Sequence, residues 1–164
     1  MPISSHWWER IPGPAMSESP SPCDGCTYCA SRCTDGIMIS ELEFTRIVEV
    51  LRELPLREVH RVLEQSKKRV WFEEITYTAC LFLDNETDRC LIYSVRPLIC
   101  RLFGRVKHLP CPINKCPADI DAREILKSYT ELPLHTFQQW MCLHHMFNFE
   151  DLLGIKVKPP CIEI

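Results

Sequence analysis

The sequence predicts a mainly α-helical single domain with a small, irregular, partly β, cysteine-rich metal-binding core. Three observations point there: apolar residues at helical spacing on both sides of the chain's middle, a β-prone aromatic centre, and eleven cysteines among 164 residues. A domain of this length buries about 68–70% of the surface its unfolded chain exposes, so it does not need cross-links merely to fold. The cysteines therefore call for another explanation. Nineteen basic and 22 acidic residues give a net charge of -3 with no basic run, which argues against a nucleic-acid footprint. No stretch of about 18 apolar residues is present, which argues against a membrane span.

Residues 1–22 read as a tail, rich in proline and serine and without an apolar period; Trp7 and Trp8 are expected to fold back onto the domain. The tail lacks the basic and apolar regions of a signal peptide. With an odd number of cysteines, this favours reduced thiols that ligate metal, in a cytoplasmic setting, over a disulfide framework. The metal-binding domain is expected over residues 23–158, and 159–164 as a C-terminal tail.

Cys23, Cys26, Cys29 and Cys33 form a C-x2-C-x2-C-x3-C run. Thiolates at this spacing can converge on one ion or cluster through tight backbone turns. Ser40 with Glu43 then fits a capping box, predicting a helix whose apolar face is Phe44, Ile47, Val48, Leu51 and Leu54. Pro55 ends that period or opens the next helix, and Leu56, Val59, Val62 and Leu63 continue it. Lys67, Lys68 and Arg69 suit a helix C-terminus.

From Val70 to Tyr93 the chain is aromatic and β-prone, and the polar Asp84–Asp88 stretch suggests a hairpin that brings Cys80 towards Cys90. Pro110, Pro112 and Pro117 punctuate a loop carrying Cys111 and Cys116. Asp121 and Glu124 suggest a cap before Ile125, Leu126 and Tyr129. A further helix is expected after Pro133, with Phe137, Trp140, Met141, His144 and Phe147 as an apolar stripe. Gly154 can close a last short helix.

The first cysteine run has the spacing of a bacterial ferredoxin, although Thr34 rather than proline follows the fourth cysteine and no second copy exists. A two-cluster ferredoxin is therefore not expected. A zinc knot holding loops together is the simpler reading of the run, and its ligands alone leave iron and zinc both open.

Cys80-Leu81-Phe82-Leu83 followed by Cys90-Leu91-Ile92-Tyr93-Ser94-Val95-Arg96-Pro97-Leu98-Ile99-Cys100-Arg101 resembles the YkgJ-type cysteine-cluster family, a zinc- or iron-chelating domain. That family places a C-x2-C-x2-C group before a segment of the form C-x-I-Y-x-x-R-P-x-x-C-R. It commonly has two adjacent cysteines where this chain has Cys29-Ala30 and then Cys33. The resemblance covers residues 23–116. It implies a cysteine-ligated zinc site or an iron–sulfur cluster such as 4Fe–4S, using Cys23, Cys26, Cys29, Cys80, Cys90 and Cys100 with Cys111 or Cys116.

Arg96 and Arg101 flank Cys100, where a guanidinium can offset thiolate charge, and Pro97 biases Arg96 towards an extended backbone. Cys142, His144 and His145 do not share one helix face and are expected in the core or at the surface. His108 and Cys161 are weaker ligand candidates.

The leading expectation is a metal-binding protein whose ligand loop joins the Cys80–Cys116 segment in one composite site. A cluster would suit electron transfer or redox sensing with a protein partner, and a four-thiolate zinc site a structural or docking role. Two alternatives belong to other classes. One is a methyltransferase-associated enzyme, since a resembling cysteine cluster occurs in flagellin lysine N-methylases; no methyl-donor motif, nucleophile elbow or Gly-rich loop supports it. The other is storage or delivery of a soft ion such as copper(I).

Overall fold

Ser40 opens the first helix as its capping-box pattern predicts. A computed structural model of the chain, which describes residues 26–72 and 75–154, places α1 at Glu41–Glu53. Ser40 Oγ accepts from the Glu43 N–H, and the Glu43 carboxylate accepts from the Ser40 N–H. Phe44, Ile47, Val48 and Leu51 form the buried face of α1. Pro55 opens α2, Leu56–Leu63, whose buried residues are Val59, Val62 and Leu63. Lys67 then performs the expected helix-end role, because its Nζ donates to Val62 O at 2.6 Å and ties it to Leu83 O at 2.8 Å.

The strands are short and pair in antiparallel twos. They are β1 (Ile39–Ser40) with β8 (Leu134–His135), β2 (Arg69–Phe72) with β3 (Ile75–Thr78), β4 (Leu83–Asp84) with β5 (Arg89–Cys90), and β6 (Arg105–Val106) with β7 (Leu109–Pro110). The expected hairpin forms in the register Leu83↔Cys90 and Asp84↔Arg89. Its turn is fixed by Asp84, which is 4% exposed. Asp84 accepts from Arg61 on both carboxylate oxygens at 3.0 Å, from Gln65 and Thr87, and from the Glu86 N–H.

The remaining helices are α3 (Leu98–Leu102), α4 (Arg123–Thr130), α5 (Phe137–Leu143) and α6 (Phe149–Leu153). α4 lacks the expected Asp121–Glu124 cap. Asp121 is occupied instead by Arg123, accepting from its Nε at 2.9 Å and its N–H at 3.2 Å. α5 starts with a capping box that the sequence reading did not note, Thr136 with Gln139. Phe147 departs from the expected apolar stripe and is 74% exposed. α5 ends at Leu143, and His145 takes a left-handed backbone (φ 57°), so the helical register no longer carries Phe147 to the core. Gly154 closes α6 at φ 68°, as expected.

Two apolar groups result. The larger joins α1, α2, α5 and α6 with Phe82 and Ile92; the smaller joins Leu98, Leu102, Val106, Ala122 and Tyr129. Trp140 Nε1 donates to Ile39 O at 2.8 Å, locking α5 under β1. The chain is thus the mostly helical single body, with small two-stranded sheets, that the sequence predicts. Among the described residues no helix is long and apolar enough to cross a membrane. The expected tails at 1–22 and 159–164, including Trp7 and Trp8, lie outside the described residues, as do Cys23 and Cys161.

Candidate metal centre

Cys26, Cys29, Cys33, Cys80, Cys90 and Cys100 line one cavity of about 540 Å³. They come from separate segments, and the backbone explains how each arrives. Cys29 lies in a 3-10 helix, Tyr28–Arg32, that contains no buried residue, and Cys33 caps its end by donating from its N–H to Ala30 O. The chain then joins the segment leading to Cys80. The Asp35 N–H donates to Thr78 O, Thr34 bridges Ala79, and the Cys80 N–H donates to Cys33 O, the two hydrogen bonds being 2.9 Å long. Cys90 is delivered by β5 opposite Leu83, and Cys100 by α3.

Ile39, Ile47, Phe82, Ile92 and Phe137 supply apolar wall to this cavity. A thiolate there loses hydration, which raises its pKa unless a positive charge or a hydrogen bond offsets the loss. Burial is the largest cause pushing the Cys90 thiol up to about 11 and the Cys100 thiol up to about 12, and the Cys80 charge adds to both. Cys33 and Cys80 share a hydrogen bond. Cys33 donates and is pushed upward, with burial and neighbouring thiolates adding to the shift. Cys80 accepts, which holds it below the ordinary thiol range against its own burial, helped by the Phe82 N–H and the Lys67 charge.

Arg96 lines the same cavity, and its charge favours the thiolates of Cys90 and Cys100. Its backbone is extended before Pro97 (φ -51°, ψ 137°), and its guanidinium stacks 3.9 Å above the Tyr93 ring. The buried Arg96 Nε has no hydrogen-bond partner. Arg101 does not line this cavity; it borders a second, smaller cleft.

Cys111 and Cys116 are both buried and also stand outside the cavity wall. Burial raises the Cys111 thiol, but N–H groups of Ile113, Cys116 and Lys115 outweigh it and hold the thiol below its ordinary range. The Lys115 N–H lies 3.3 Å from Cys111 Sγ. Cys142 is exposed, His144 Nε2 lies 3.0 Å from Glu41 Oε1, and His108 is exposed.

The donor set fits a thiophilic metal. Thiols that repel one another as thiolates in an apolar setting are relieved by a shared cation. The side chains do not yet form a closed shell: among the described residues no three His, Cys, Asp or Glu side chains stand in a metal-holding arrangement.

Two supporting residues escaped the sequence reading. Lys67 looked like a helix-end charge alone, and nothing in its surroundings along the chain signalled its proximity to Cys80. Glu43 was legible as a capping residue, but its other oxygen, Oε1, accepts from the Leu98 N–H at 2.7 Å and so fixes the start of the helix carrying Cys100. Tyr129 completes this strut by donating to Glu43 Oε2 at 2.7 Å.

The chain is similar to "Uncharacterized protein MJ0661" of Methanocaldococcus jannaschii, with 70% identity over 23 residues, which is 14% of this chain and 13% of that protein. No solved structure matches the chain. Residues 22–130, well over half the chain, match the profile of the CxxCxxCC family, described as a "Putative zinc- or iron-chelating domain". The resemblance carried by the cysteine run and the Cys90–Arg101 segment is therefore one of membership, and the chain belongs to the CxxCxxCC zinc- or iron-chelating family.

Proposed function

We propose that this protein carries an iron–sulfur cluster held by thiolates from Cys26, Cys29, Cys33, Cys80, Cys90 and Cys100, together with Cys23, and that it works in electron transfer or redox sensing. The observation that carries this reading is the meeting of six cysteines on one cavity. Zinc and an iron–sulfur cluster are each held by four thiolates, so six cysteines exceed the need of either; a cavity of about 540 Å³, far larger than one ion, is what favours a polynuclear cluster. When bound, the cluster supplies one-electron chemistry at a potential set by charge, hydrogen bonds and solvent exposure.

The chain's own residues would do three things for it. Arg96 offsets the negative charge of the thiolates. The apolar wall limits water, and the exposed turn Tyr28–Arg32 keeps one side of the site near the surface, where a protein redox partner can approach. Cys111 and Cys116 would join only through a rearrangement of their loop.

Anaerobic purification followed by visible absorption and analysis for iron and acid-labile sulfide tests the proposal. A brown protein with iron and sulfide in comparable amounts is expected. A colourless protein with stoichiometric zinc overturns it in favour of a structural or docking site, and stoichiometric copper(I) in favour of storage.

A further inference from the structure

Cys111 and Cys116 are buried thiols outside the wall of the metal cavity, at the two ends of one short loop. We propose that they form a reversible dithiol–disulfide pair, oxidised by thiol–disulfide exchange with a low-molecular-weight disulfide.

The loop is built around one sulfur. The Asn114 N–H donates to Cys111 O at 3.1 Å, closing a turn, and Asn114 takes a left-handed backbone (φ 52°), which asparagine tolerates. This folds the chain back over Cys111, whose Sγ accepts from the Lys115 N–H at 3.3 Å and from the N–H groups of Ile113 and Cys116. The Cys116 thiol donates to the same sulfur. These donors favour the Cys111 thiolate, which is the attacking form, and the last of them puts the second sulfur in contact with the first. A disulfide needs that contact to close to about 2.05 Å.

Access is local. Each cysteine is 8% exposed, yet neither belongs to the two apolar groups of the core, and Ile113, Asn114, Lys115 and Pro117 around them are exposed. Reaching the sulfurs therefore calls for movement of a surface loop and not of the core.

In the first step the Cys111 thiolate attacks one sulfur of the disulfide, RSSR. A new S–S bond forms, that of RSSR breaks, and one RS⁻ departs. Cys116 gives its proton to this RS⁻, attacks the Cys111 sulfur and expels the second RS⁻, which takes from solvent the proton that Cys111 had released. Two protein thiols are oxidised to a disulfide, and RSSR is reduced to two RSH.

Gly104 packs against Cys111, since a Cβ built on it would lie 3.7 Å from Cys111 Cβ, and its N–H donates to Leu109 O at 2.7 Å. Phe103 and Leu109 both line the metal cavity. Closing the disulfide therefore pulls on the wall next to the helix that carries Cys100. That link rests on the metal centre proposed above; the dithiol pair itself does not.

Trypsin cuts after Lys107, Lys115 and Arg123, so Cys111 and Cys116 fall in separate peptides, 108–115 and 116–123, each with one cysteine. The full chain, purified anaerobically with its metal content measured, is equilibrated in graded mixtures of oxidised and reduced glutathione, quenched, alkylated and digested for mass spectrometry. The two peptides should emerge joined, in an amount that rises with oxidised glutathione and falls back on reduction. Cys116→Ser should trap glutathione on Cys111 about tenfold more than Cys111→Ser traps it on Cys116, because the attacking thiolate keeps its N–H donors. Equal trapping overturns the assignment of Cys111 as the attacking thiol. Joined peptides at no ratio, or only in urea, overturn the pair, as does Cys116 joined to a different cysteine. Loss of metal in both serine variants would make these residues ligands, overturning the pair while the metal centre stands. Joined peptides from a folded protein that takes up no metal support the pair while removing the metal reading.

Discussion

Replacing Glu43 should damage the cysteine cavity from a distance, because this one carboxylate accepts hydrogen bonds from three separated parts of the chain. Its Oε2 takes the Ser40 N–H at 2.8 Å, Ser40 Oγ at 2.9 Å and the Tyr129 hydroxyl at 2.7 Å, while Oε1 takes the Leu98 N–H at 2.7 Å. The donor residues are buried, with Ser40 5%, Leu98 1% and Tyr129 6% exposed. In Glu43→Ala the Leu98 N–H, on a residue 1% exposed, loses its acceptor, at a cost of about 1–3 kcal/mol. Tyr129 keeps an alternative in Met38 O at 3.2 Å. Half of the α1 capping box also goes, at about 1 kcal/mol, and the total is about 2–4 kcal/mol. That is a large share of the roughly 5–15 kcal/mol of an ordinary domain.

Glu43→Gln keeps shape and one carbonyl acceptor but points an NH2 group at a remaining donor, so its loss should fall between wild type and alanine. Urea unfolding followed by circular dichroism gives the stability, and metal per chain after dialysis against a chelator gives the site. Both should fall in the order wild type, glutamine, alanine, because Leu98 opens the helix that presents Cys100. A stability loss under about 1 kcal/mol in Glu43→Ala, or a full loss with metal retention unchanged, would refute the idea that this strut sets the Cys100 turn.

Cysteine replacements should divide by location. Cys33→Ser and Cys100→Ser should each lower bound metal, whereas Cys142→Ser, at an exposed thiol, should leave it unchanged; equal metal content in all three variants would remove the shared site. Metal uptake should release protons, because thiols pushed up to about 11 at Cys90 and about 12 at Cys100 are protonated at neutral pH and must ionise to ligate. Apparent affinity should therefore rise with pH up to those values, and titrations in buffers of different ionisation enthalpy should show the release. Asp84 should make stability acid-sensitive. Its carboxyl is held well below the usual range, chiefly by Arg61, so its contribution is fully present above the unfolded value near 3.9 and is lost as pH falls below it. Asp84→Asn should cost about 1–3 kcal/mol at neutral pH and flatten the melting temperature against pH below about 4. Finally, metal removal should raise hydrogen exchange at residues 28–35 while leaving residues 44–51 of α1 protected; loss of protection in both would mean that the metal holds the whole fold together.

Local patterns carried much of this structure. The Ser40 box, the α1 face, the Asp84–Asp88 hairpin and the Gly154 cap each depend on residues within about one turn of each other, and each formed as the sequence suggests. Phe147 failed because a periodicity extended past Leu143 cannot see the left-handed break at His145. Spacing suggested that Cys26, Cys29 and Cys33 converge and the hairpin that Cys80 nears Cys90, but that these two groups and Cys100 share one cavity was readable only through motif resemblance, which did not itself include Cys33. Lys67 beside Cys80 and the Glu43 contact to Leu98 were not readable at all. Both are long-range contacts made by polar side chains that already had a sufficient local explanation.

The separation of these two kinds of order says how metal and fold are related. A small protein that depends on metal to fold has little core apart from its ligands. Here Phe44, Ile47, Leu51, Val59 and Leu152 are buried against one another with no cysteine needed between them, and Leu98, Leu102 and Val106 form a second group. The first cysteine segment is the opposite case: its 3-10 turn contains no fully buried residue, and it is tied to the rest by the Thr34–Ala79 bridge, the bonds from Cys80 and Asp35, and the Tyr77 hydroxyl donating to Ser31 O. Ligation would therefore add most of its free energy to the segment with least of its own, ordering one wall of the cavity against walls that are already built. On the reading proposed above, an ion bound in this way would order a few residues near the surface rather than fold the whole protein, which would suit a redox or metal-responsive centre.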